Sequence, residues 1–146
     1  MVTRILLTIL ILALNYFNSF SQTKEEKLDR MTISYTGDSL LSQKYELIIK
    51  SKKIYSITPV LNYLHVKGGK YKRPVEFNKG KRENIFSMVD QLTWTSLGKT
   101  KGLVTGDRYY VIEIFNTDKL ISTYKVSEEL LPSDFKTLYN IISDGK

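Results

Sequence analysis

The chain has 146 residues, 42% of them hydrophobic and 25% charged, and its 22 basic and 15 acidic residues leave a net charge of +7. These proportions describe one ordinary globular domain and exclude a disordered tail or a membrane bundle. The lack of cysteine excludes disulfides, thiolate catalysis, thiolate metal sites and lipid attachment through an N-terminal cysteine, and a single histidine, His65, leaves little room for imidazole chemistry.

Arg4 precedes an apolar block over 5–14 that only Thr8 interrupts, and the small residues Ser19 and Ser21 follow two apart. A short basic start, an apolar stretch of about ten residues and small residues at a cleavage point have the layout of a secretory signal peptide, here cut after Ser21. A retained anchor needs about 20 apolar residues to cross the hydrocarbon, and Asn15 and Asn18 break the run too early. A buried N-terminal helix would have to be apolar on every face. The expectation is an exported protein of periplasm, cell surface or medium, with 1–21 as signal peptide, 22–30 as a polar lead-in and 31–146 as one domain without a transmembrane segment. Removing Arg4 leaves a charge of +6. A domain of this size buries about two thirds of its unfolded surface and folds without disulfides.

Met31, Ile33 and Tyr35 alternate with Thr32, Ser34 and Thr36, the period of a half-buried strand, and Gly37-Asp38-Ser39 reads as a turn. Tyr45, Leu47 and Ile49 alternate with Glu46, Ile48 and Lys50, and after Ser51-Lys52 the pattern resumes at Ile54 until Pro59, which predicts a hairpin with a charged tip. Residues 60–66 offer a further strand. Ile85, Met88, Val89 and Leu92 fall at i, i+3, i+4 and i+7 and predict a helix over 81–92, with Glu83 and Asp90 pointing away from the core. Residues 95–106 read as a flexible loop.

A second hairpin is predicted over 108–126, with Tyr110, Ile112 and Ile114 on one face, Tyr109, Val111 and Phe115 on the other, and turn residues at 116–119. Both faces are apolar enough to predict a central place in the sheet. Pro132 suits the first position of a closing helix that carries Asp134 in its first turn and buries Phe135, Leu138, Tyr139 and Ile142. The predicted fold class is α+β: an antiparallel sheet of two hairpins plus an N-terminal strand, with two amphipathic helices on one face. A small closed barrel with a helix at its side is the alternative.

Motifs that carry chemistry are sparse. Gly98-Lys99-Thr100 matches the end of a phosphate-binding loop, but Thr93 stands where that motif needs a glycine, so the backbone has no means to wrap a phosphate. Ser122 and Lys125, and Ser133 and Lys136, have a serine-x-x-lysine spacing; the first pair would project from opposite faces of a strand, and Ser133 suits a helix start. Glu46 and Glu113 lie on the two hairpins and are the carboxylates a hydrolase would use as acid and base. His65 has no second histidine, and the carboxylates show no ligand spacing, so neither metal nor cofactor is predicted.

The informative stretch is 67–82. It holds Lys67, Lys70, Lys72, Arg73, Lys79, Lys81 and Arg82 against Glu76 alone, a net +6, while 22–66 carries +2 and 83–146 carries −2. Gly68, Gly69 and Gly80 predict a pliable loop, and Tyr63, Tyr71 and Phe77 set rings among the charges. Such a segment can follow an anionic chain by charge while rings pack on its apolar parts. The expected function is a non-enzymatic exported binding domain whose basic loop, with Lys67, Lys70, Tyr71, Lys72, Arg73, Lys79, Lys81 and Arg82, contacts an acidic polysaccharide, a lipid headgroup or an acidic protein surface; export argues against nucleic acid. The alternatives are a carboxylate-dependent hydrolase and a protein inhibitor or envelope assembly subunit. The last would use an exposed sheet patch of Tyr109, Val111, Phe115 and Tyr124.

Overall fold

The computed structural model describes residues 28–37, 43–59 and 70–145. The leader, most of the lead-in, the strand offered over 60–66, His65 and Lys67 lie outside the described residues, as do Asp38 and Ser39 of the first turn. Six strands form one antiparallel sheet: β1 (Arg30–Thr36), β2 (Gln43–Ile48), β3 (Lys53–Pro59), β4 (Lys70–Pro74), β5 (Tyr109–Asn116) and β6 (Lys119–Ser127). Among the described residues three α-helices accompany them: α1 (Lys79–Asp90), α2 (Trp94–Lys99) and α3 (Ser133–Ser143). The sheet order is β4-β3-β2-β1-β5-β6, so β1 joins the two hairpins and the α+β class stands.

Alternation in β1 and β2 sends Met31, Ile33, Tyr45 and Leu47 to one face, where all four are fully buried. They join Ile112 and Val126 of the second hairpin in one core with Ile85, Phe86 and Val89 of α1, Leu97 of α2, and Phe135, Leu138, Tyr139 and Ile142 of α3. All three helices therefore cover the same face. Each stripe forms because burying a large apolar side chain is worth about 1.5–3 kcal/mol. The Trp94 ring meets Phe135 edge-on at 5.0 Å, and Tyr139 stands edge-on to Tyr45 at 5.6 Å and to Tyr110 at 5.2 Å.

The turns obey local chemistry. Thr117 and Asp118 both adopt positive φ, 46° and 67°, as a two-residue hairpin loop that continues the strand twist requires. Asp29 Oδ2 steadies this turn by accepting the Thr117 amide at 3.1 Å. Asn78 caps α1, its Oδ1 accepting the Lys81 amide at 2.8 Å. Pro132 stands at the N-cap of α3, one residue earlier than the sequence suggests.

Three expectations are corrected. The stretch 67–82 is not simply a loop: Lys70–Pro74 forms edge strand β4, paired with β3 from Tyr55↔Pro74 to Pro59↔Lys70, and Lys79, Lys81 and Arg82 open α1. An edge strand needs backbone pairing more than an apolar stripe, and charged residues with a terminal proline suit an edge. Within 95–106 the first residues continue helix α2, held by Leu97, which is fully buried, and by Trp94. The second hairpin is not central, because β6 forms the far edge of the sheet. Part of that edge is covered: Gly102 donates to the Lys125 carbonyl at 3.0 Å, and Ser127 donates to that of Leu103 at 3.0 Å. Among the described residues no helix is long and apolar enough to cross a membrane.

Candidate functional site

Of the basic residues singled out, Lys67 is not described, and Lys70 is placed only as the first residue of β4. Tyr71 is 55% exposed, with the Arg73 guanidinium 5.4 Å from its ring centre. Lys79, Lys81 and Arg82 occupy the start of α1, where no acidic residue stands. Lys81 Nζ lies 4.9 Å from the Phe77 ring centre, and Arg82 donates to the Phe77 carbonyl at 3.1 Å while its nearest contact with Glu76 is a loose 3.9 Å.

The fold adds two cations that the sequence reading left out. β4 ends at Pro74 opposite Tyr55, and the chain leaves the sheet once the Val75 amide has bonded the Ile54 carbonyl at 2.9 Å. β3 therefore runs past the end of its neighbour. The step leaves an open cleft of about 360 Å³ lined by Lys52, Lys53, Glu76 and Arg82 together with Ile54, Tyr55, Pro74 and Val75; Ile54 is buried in the core, so Pro74 and Val75 are its accessible apolar part. Lys52 has φ of 48°, the left-handed conformation that closes the hairpin tip. A second cleft, about 460 Å³, lies beyond Pro74, Val75 and Glu76, which line both, and is edged by Arg73, Ser56 and Thr58. Glu76, with a side chain 84% exposed, is the carboxylate on the shared lip.

Lys72 is drawn elsewhere. Its ammonium contacts Glu46 Oε2 and lies 4.3 Å from the Tyr55 ring centre, on the sheet face away from the helices. That face carries an ordered row: Tyr55, Glu46, Thr32, Glu113 and Thr123 stand directly opposite one another across β3, β2, β1, β5 and β6. The two carboxylates named from the sequence therefore bracket Thr32. Glu46, only 5% exposed, accepts from Arg30 NH1 at 3.2 Å as well as contacting Lys72. Glu113 accepts from Lys44 at 2.5 Å and from the Thr32 hydroxyl at 2.7 Å. Long basic side chains lie across this face with their stems over the strands and their charges on the carboxylates. The row closes the face over its own charges.

The same chemistry governs the aromatic residues. Tyr109, Val111 and Phe115 share that face, but Lys125 Nζ sits 4.1 Å from the Tyr109 ring centre and the Arg30 guanidinium 4.2 Å from that of Phe115. Tyr124 pairs with Ile112 and packs on the core from the other side. The four do not form one patch. Ser122 and Lys125 pair with Ile114 and Val111 and so project from opposite faces, and Gly98 lies inside α2. Among the described residues no group of three or more His, Cys, Asp or Glu is placed to hold a metal.

Comparison with protein-family models finds no match, and comparison with curated proteins finds none either.

Proposed function

We propose that the protein is an exported, non-enzymatic binding domain that contacts an anionic partner through its basic segment, 67–82, together with the hairpin tip. The observation that carries this reading is the presence of Lys52, Lys53 and Arg82 around one cleft, with Glu76 the acidic residue among the described residues that line it. Charges that focus on a concave, partly desolvated surface raise the local potential more than the same charges spread over a convex one. Placement at the start of α1 adds to this. A helix N-terminus favours acidic residues, so Lys79, Lys81 and Arg82 there cost the helix stability while reinforcing its attraction for anions. The signal-like opening of the chain supports the location and, with it, a partner outside the cytoplasm.

Lys72 contributes less to such a partner, because it neutralises Glu46. The informative variant therefore leaves it in place. Lys52→Glu, Lys53→Glu and Arg82→Glu combined should abolish retention on immobilised heparin at physiological salt, with far-UV circular dichroism unchanged. Removing each cation should lower the slope of log affinity against log salt by about one. A Lys119→Glu variant on the opposite edge should elute close to the parent. Retention of the triple variant equal to the parent's removes the proposal.

A further inference from the structure

We propose that the cleft between the β2–β3 tip and the start of α1 is a subsite for one acidic sugar ring, a pyranose bearing a carboxylate or sulfate within an acidic polysaccharide. The inference rests on the anion-binding reading above and names its ligand class. At about 360 Å³ the cleft has the volume of a small-ligand site, whereas a protein partner would want a broad surface of about 800 Å² on each side. Its walls divide by chemistry. Pro74 and Val75 offer a small apolar flank for a ring, and Lys52, Lys53 and Arg82 offer donors for an anionic substituent.

Two further features separate a sugar from other anions. A lipid surface is held by charge together with apolar side chains that enter the bilayer. Among the described residues the large exposed apolar side chains are Tyr71, Leu103, Leu120, Ile121 and Leu130, and Tyr71 alone of these belongs to this corner, beside Arg73. Glu76, on the lip, repels a bare anion, but its carboxylate accepts hydrogen bonds from hydroxyl groups, which a sugar has and an inorganic sulfate lacks. Glu76 is therefore the residue that favours an acidic sugar over a bare anion.

The test titrates the protein with a heparin disaccharide, with sodium sulfate and with phosphatidylglycerol vesicles, following binding calorimetrically and by amide chemical shifts. The disaccharide should bind saturably at one site. Arg82→Gln should weaken it about tenfold and Glu76→Ala about fivefold, while Glu76→Ala should strengthen sulfate binding. Native-like amide spectra of both variants show that folding is intact. If Glu76→Ala strengthens disaccharide and sulfate alike, the site is a bare-anion site and the inference fails. It also fails if vesicles bind as tightly as the saccharide with the same dependence on Arg82. Retention on long heparin without saturable disaccharide binding overturns the subsite and leaves the broader reading standing, whereas no retention on heparin removes both.

Discussion

A Glu46→Gln variant is expected to unfold about 2–3 kcal/mol more easily than the parent, read as a lower urea midpoint at unchanged m-value. The Glu46 side chain is 6% exposed and its two oxygens face Arg30 and Lys72. Glutamine keeps the shape and removes the charge, leaving two cations over a buried amide. Removing one partner of a buried ion pair typically costs about 3–5 kcal/mol. The figure here is lower because Arg30 and Lys72, with side chains 26% and 43% exposed, can turn part of their charge to water. Glu113→Gln should cost only about 1 kcal/mol, since that side chain is 24% exposed and an amide oxygen can still accept from Thr32. A double-mutant cycle of Glu46→Gln with Lys72→Met isolates the pairwise coupling. A Glu46→Gln variant as stable as the parent would show that the row is a surface arrangement with no weight in the fold.

Between pH 10 and 12 the protein should lose stability steeply through its buried tyrosines. Burial, assisted by Glu128 and Tyr35, pushes the Tyr110 hydroxyl from 10.0 up to about 12. Burial also raises Tyr45 and Tyr139, with Asp144 adding to the first and neighbouring tyrosines to the second. Below pH 10 these hydroxyls are protonated both folded and unfolded, and their burial carries no titration penalty. As pH rises above 10 the unfolded chain releases protons that the folded one retains, so stability falls by roughly 1.4 kcal/mol per pH unit for each group until its folded pKa is passed. Tyr110 alone then accounts for on the order of 2 kcal/mol by pH 12. Absorbance at 295 nm should show the core tyrosines ionising only together with loss of helical circular dichroism. Tyr110→Phe should flatten the stability profile over this range, and an unchanged slope would mean that the ring ionises without unfolding.

The elements legible in the sequence are those whose pattern and packing agree. The stripes of α1 and α3 name Ile85, Val89, Phe135, Leu138 and Ile142 as core, and all five are buried. β4 was hidden because an edge strand of Lys70, Tyr71, Lys72 and Arg73 pairs through its backbone and shows no apolar alternation. The short α2 carries a glycine and depends on where Phe135 meets Trp94. Within the candidate site, the charge of 67–82 was plain, but its distribution was not. Cross-strand register sends Lys72 to Glu46, and the end of β4 brings Lys52 and Lys53 toward Arg82. Both depend on contacts between residues about thirty apart in the chain, which no local pattern encodes. Glu46 likewise alternates as an outward residue; it is buried because Arg30 and Lys72 lie over it.

The structure thus divides the basic surplus between cations that close the outer sheet face and cations that converge on the corner beyond Pro74. Under the proposal it is the second group, whose charges are not spent on Glu46 or Glu113, that meets the partner. Amide chemical-shift mapping with a short heparin oligosaccharide separates the two most directly. The account predicts shifts concentrated at 52–55, 73–76 and 79–82, with Thr32, Glu113 and Thr123 unmoved. Shifts centred on β5 and β6, or none at saturating oligosaccharide, would contradict it.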